Sequence, residues 1–150
     1  MFWLMKSEPA CWGIDDLARD GRGEWTGVRN YQVRNFIRDR MRPGDRAFLW
    51  HSSCREIGLA GEMDIASAAY PDPTQFDPDS RYFDPKATPD QPRWYSVDVS
   101  FVTRYPRVIT MAELRAVPEL ATLQVLAPGS RLSAMPVDPA HWKLIHERWR

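Results

Sequence analysis

The sequence predicts an α+β domain with a curved antiparallel sheet or a small barrel. Helical and strand-like segments are mixed without the regular alternation that marks a parallel α/β sheet. Arg93 to Tyr105 is the clearest strand: Tyr95, Val97, Val99 and Phe101 alternate with Ser96, Asp98 and Ser100, a period of two with one wet face. No repeat or linker breaks the 150 residues, so residues 1–150 read as one domain.

The elements follow in order. Phe2 to Lys6 is an apolar run stopped at Ser7-Glu8-Pro9, a first strand ended by a residue that cannot donate to a ladder. Ile14 to Asp20 has helical spacing and is closed by Gly21 and Gly23. Asn30 suits the N-cap of a helix from Tyr31 to about Met41, with Val33, Phe36, Ile37 and Met41 inward and Arg34, Arg38 and Arg42 on another face. Ala47 to His51 and Ile57 to Ile65 read as strands. Tyr70 to Pro92 is rich in Pro and Asp and has no period; it reads either as a functional loop or as a disordered insert. Thr110 and Glu113 form a capping-box pattern for a short helix, and Pro118 starts another helical turn. Asp138-Pro139 opens a last helix whose inner face carries Trp142, Ile145 and Trp149.

Composition narrows the function. The formal net charge is zero, which argues against coating nucleic acid by electrostatics alone. The charge is uneven, with arginines over residues 29–42 and aspartates over 72–90, a pattern that also fits two solvated faces. Cys11 and Cys54 are far apart and read as reduced thiols in a cytosolic protein. The first residues lack signal-peptide order, and no apolar run reaches the roughly 20 residues that cross a bilayer. A soluble, cytoplasmic protein without membrane contact is expected.

No reaction centre assembles from spacing. His51, His141 and His146 form no zinc pattern, and neither a nucleophile elbow nor a P-loop is present. No cofactor or metal is expected, and no enzyme activity.

Three polar and aromatic segments sit at the ends of regular elements, where sites are built: Lys6 to Pro9, Trp25 to Tyr31 with Arg34-Asn35, and Arg131 to Ser133. An indole such as Trp25 gives a base a flat face, and stacking contributes about 1–3 kcal/mol. Ser, Thr and Asn side chains read a base edge, Gly27 lets backbone approach a ligand, and Arg29, Arg34 and Arg131 offer forked donors to phosphates. The plainer reading is a core Trp25, a capping Asn30 and solvated arginines.

At these residues the sequence resembles the EVE domain family over nearly its whole length. The resemblance rests on WLMKSEP at 3–9, WTGVRNYQVRNF at 25–36, FLWHSSC at 48–54 and GLAG at 58–61. It continues with AYPDPT at 69–74, DPKATP at 84–89, RWYSVDV at 93–99 and GSRLSAMPV at 129–137. It implies a PUA-like pseudo-barrel of mostly antiparallel strands flanked by short helices, related to the YTH readers. It implies a non-catalytic module that binds RNA or DNA and holds one modified base, with methylated or hydroxymethylated cytosine as candidates. By the same resemblance Lys6, Ser7, Trp25 and Thr26 contact the base, Gly27, Val28, Arg29 and Asn30 wall the pocket, and Arg131 and Ser133 close it. His51 and Ser52 are further pocket candidates; Arg34, Arg38 and Lys86 are expected at phosphates; Trp12, Trp50, Tyr70 and Trp94 are candidates for further aromatic walls. An enzyme acting on a small nucleotide or modified base, and a protein-interaction module using the acidic loop, are the alternatives.

Overall fold

A computed structural model describes residues 1–129 and 131–149; Ser130 of the GSRLS motif and Arg150 lie outside the described residues. Seven strands form the sheet: β1 (Phe2–Ser7), β2 (Arg22–Trp25), β3 (Arg46–His51), β4 (Gly58–Ile65), β5 (Tyr70–Pro71), β6 (Tyr95–Thr110) and β7 (Ala134–Val137). Their order is β2-β6-β4-β3-β1-β7, with β5 beside β6. Among the described residues only β1 and β3 pair in parallel; the other pairs are antiparallel. The helices are α1 (Ile14–Asp20), α2 (Tyr31–Asn35), α3 (Met111–Arg115) and α4 (Pro139–Trp149).

The α+β class holds, but the sheet does not close into a barrel. Its path ends at β2 on one side and β7 on the other, and among the described residues no strand pairing joins those ends. Both end strands are four residues long and went unread in the sequence. A four-residue strand is too short to establish a period of two.

The central strands are covered on both faces, which explains their continuous apolar runs. In β1, Trp3 and Met5 join a cluster with Ile14, Leu17, Trp25, Val33 and Ile37, while Leu4 points to the opposite cluster. That second cluster holds Phe48, Trp50, Leu59, Leu114, Trp142 and Ile145. The alternation continues in β3, where Ala47 and Leu49 face the first cluster and Phe48 and Trp50 the second. Full burial of one such large apolar side chain contributes about 1.5–3 kcal/mol. Trp142 anchors α4 by stacking between Phe2 and Phe48, at centroid distances of 4.7 and 4.0 Å.

Two expected elements change form. The segment expected as one helix to Met41 is α-helical only to Asn35; Phe36–Arg40 is a π-helical turn, and the Met41 amide donates to the Phe36 carbonyl at 2.9 Å. Of its expected inward stripe, Val33, Ile37 and Met41 are buried, and Phe36 is partly buried against the same cluster. The strand expected to end at Tyr105 runs on to Thr110. Gly61 pairs with Arg104 and Leu59 with Ile109, so the intervening β6 residues bulge. Pro106, which has no amide to donate, falls in that bulge.

Candidate nucleic-acid interface

The open seam of the sheet contains a cleft of about 650 Å³. Lys6, Ser7 and Glu8 enter it from the end of β1, Glu24 to Arg29 from β2 and the segment after it, and Arg131 to Ser133 from the approach to β7. Cys11, Trp12, Ser52, Arg81 and Tyr82 complete the lining. The three polar segments singled out in the sequence therefore meet, although β2 and β7 lie at opposite ends of the sheet path.

The β1 side is locked by backbone bonds. The Lys6 amide donates to the Ser133 carbonyl at 2.8 Å, and the Ser52 amide to the Ser7 carbonyl at 2.8 Å. Burial pulls the Lys6 ammonium below the usual lysine range. The Ser7 hydroxyl is buried without a hydrogen-bond partner among the described residues. An unpaired buried hydroxyl costs free energy, and a ligand edge that bonded to it would remove that cost.

Two indoles stand on the wall. Trp25 is only 7% exposed and belongs to the first core cluster, so it offers the cleft a small part of its surface. Trp12 meets it edge-on at 5.8 Å between centroids and is less buried. A turn sets Trp12 in place: the Cys11 and Trp12 amides both donate to the Glu8 carbonyl at 2.9 Å. The ring lies over Gly23, where a Cβ would fall 2.8 Å from the indole Cζ2. Of the four aromatic residues considered as further walls, Trp12 lines the cleft. Trp50 sits in the second cluster, Tyr70 hydrogen-bonds Asp98 at 2.6 Å, and Trp94 is buried under Tyr31 at 4.8 Å.

The segment expected as a loop or disordered insert is folded against this wall. Asp72 is fully buried and accepts the Gly27 amide at 2.8 Å, an Arg29 Nη at 3.1 Å, and the Thr74 amide and hydroxyl at 2.8 and 2.6 Å. Gln75, also fully buried, donates to the Asp72 and Trp94 carbonyls and accepts from the Arg93 and Trp94 amides. The Trp94 indole donates to Asp84 at 2.8 Å, and that bond first of all holds the Asp84 carboxyl below the usual range. Asp72 and Asp84 are therefore committed inside the domain rather than displayed to a partner. Tyr82, carried by this segment, fills the space that Gly27 leaves open.

Arg29 lines the cleft, yet its five N–H donors are engaged by Tyr82 and Val28 carbonyls, Asp72 and Thr74. Its role is to fasten the folded segment. Asn30 caps α2, accepting from the Val33 amide at 3.1 Å, and stands outside the lining. His51 also lies elsewhere: its Nε2 accepts the Ile14 amide at 3.1 Å at the start of α1, and burial first of all lowers its pKa. Arg34 spends donors on the Arg93 carbonyl and Asn35, Arg38 on Asp39 and Asn35, and neither they nor Lys86 border the cleft. Arg81 and Tyr82 had no sequence signal, because a segment without a period gives no side-chain direction.

Comparison with known proteins places this geometry. Residues 1–148 match the family model of the EVE domain. Human thymocyte nuclear protein 1 is 45% identical over 125 residues, covering 76% of this chain and 55% of that protein, so the chain spans about half of such relatives. A crystal structure from Pseudomonas putida superposes with a TM-score of 0.94 at 50% identity, covering 98% of both chains. Human thymocyte nuclear protein 1 in complex with DNA containing 5-methylcytosine superposes with a TM-score of 0.88 at 38% identity, covering 97% of this chain and 95% of that one. The vertebrate relatives carry a nuclear name, and this overturns the expectation of a cytoplasmic location.

Proposed function

The chain belongs to the EVE domain family, and from that membership and the cleft we propose that it is a non-catalytic reader of DNA that holds one modified base, with 5-methylcytosine as the leading candidate. One observation carries the reading: Lys6-Ser7, Trp25 to Gly27 and Ser133, separate in sequence, line one cleft beside a second indole, Trp12. A duplex hides its bases in the stack, so a protein that inspects one in a closed space takes it out. Aromatic walls then replace the lost stacking, and the Ser7 hydroxyl and Lys6 ammonium offer donors to its polar edge. The human relative that superposes on the chain was crystallised with DNA containing 5-methylcytosine, which supports DNA over RNA and methylated cytosine over other bases.

The reading is tested with duplexes that differ only in one methyl group. Tighter binding of the methylated duplex is expected, and equal binding overturns it. Trp25→Ala is a poor probe because it also empties core volume, which costs about 3–5 kcal/mol. Trp12→Ala is the better variant and should weaken binding by about 1–3 kcal/mol. Release of an altered base or nucleoside during incubation would replace the binding module with an enzyme.

A further inference from the structure

Resting on that reading, we propose that Arg81 and Arg131 are a phosphate clamp, gripping the DNA backbone on the two sides of the nucleotide whose base enters the cleft. The arginines fall into two groups by what occupies their donors. Arg29 is saturated inside the protein, and Arg38 is paired with Asp39. Arg81 and Arg131 line the cleft, are exposed, and have no hydrogen bond or carboxylate partner among the described residues. Arg81 makes a single aromatic contact, its guanidinium 5.0 Å from the Tyr82 ring centroid. Free, forked guanidinium donors suit phosphate oxygens.

Their origins matter as much as their freedom. Arg81 is carried by the segment fastened through Asp72 and Arg29 to the β2 end of the sheet. Arg131 stands at the approach to β7, at the other end of the sheet path, in the segment that the Lys6 amide holds through Ser133. A strand that inserts one base between these ends carries its backbone past both lips. The clamp gives a chain with no net charge a local cationic grip: Arg81 and Arg131 stand at the cleft, while Asp72 and Asp84 of the folded segment are engaged inside the protein.

The test uses the purified chain and two duplexes, with and without a single 5-methylcytosine, over a series of salt concentrations. Arg81→Gln and Arg131→Gln should each lower the slope of log affinity against log salt by about one. Each should weaken both duplexes by roughly 10-fold at fixed salt, keeping their affinity ratio, because phosphate contacts carry no base information. Arg81→Lys and Arg131→Lys should restore the slope by restoring the charge. An unchanged slope in the Gln variants overturns the clamp, as does a ratio that collapses to one. A parent chain that binds both duplexes equally overturns the base reading alone, while the slopes still decide the clamp. A parent that binds neither duplex overturns both.

Discussion

Gly27 and Tyr82 are fitted to one another: a Cβ on Gly27 would lie 2.7 Å from the Tyr82 Cζ, and Gly27 holds φ at +84°. Gly27→Ala should therefore fail twice. The left-handed backbone costs a side chain about 1–2 kcal/mol, and the overlap with the ring adds to it. Adding Tyr82→Ala should recover the steric part and leave the backbone part. Urea unfolding of the two variants separates these contributions, and a Gly27→Ala chain as stable as the parent would contradict the fit.

Ser7 should show opposite signs in folding and binding. Its hydroxyl is buried without a partner among the described residues, so Ser7→Ala should leave stability equal or slightly raised. Binding of the methylated duplex should weaken by about 1 kcal/mol, the net worth of one hydrogen bond. Parallel thermal melts and titrations check both signs. Unaltered affinity would mean that Ser7 does not meet the ligand.

Glu62 belongs to the other face of the sheet. It is fully buried, 2.9 Å from His146 Nδ1 and 2.7 Å from the Tyr105 hydroxyl, and ties β4 and β6 to α4. Glu62→Gln should cost about 1–3 kcal/mol of stability by weakening this network. The preference for a methylated duplex should persist, because the residue lies outside the cleft. Denaturation and duplex titrations on the same sample test the separation of the two faces.

Glu113 predicts a pH dependence. The Arg107 guanidinium, and then the Thr110 amide, hold its carboxyl at about 2, below its ordinary 4.5. A depressed carboxylate stabilises the fold fully above its unfolded pKa and loses that contribution as pH falls through the folded value. The window is therefore from about pH 5 down to about pH 2. The pair is partly exposed, so solvent screening limits the contribution to about 1 kcal/mol or less. Urea midpoints across that window should fall less steeply in Glu113→Gln than in the parent.

Capping groups and burial stripes were readable because they are local. Asn30 bonds the Val33 amide, Thr110 and Glu113 close their box, and the Asp138 carboxylate accepts the Ala140 amide. Each motif needs only three or so neighbouring residues to declare itself. Asn30 shows the limit of such reading, since a cap and a pocket wall use the same side chain and only the fold shows which. The acidic segment was opaque for a related reason. Asp72 and Gln75 are defined by partners at Gly27, Arg29 and Trp94, and local spacing does not reveal those bonds.

The sequence by itself determined the mixed α+β class, the central apolar strands, the inward face of the helix after Asn30, and the three segments that line the cleft. These follow from short-range periodicity and from residue chemistry. Only the tertiary structure decided that, among the described residues, the sheet stays open between β2 and β7, that the cleft lies in that seam, and that Arg29 is spent on Tyr82 and Asp72 while Arg81 and Arg131 have no hydrogen-bond or carboxylate partner. The physical reason is that a guanidinium becomes a buttress or a ligand contact according to which acceptors the rest of the chain brings within about 3 Å of it.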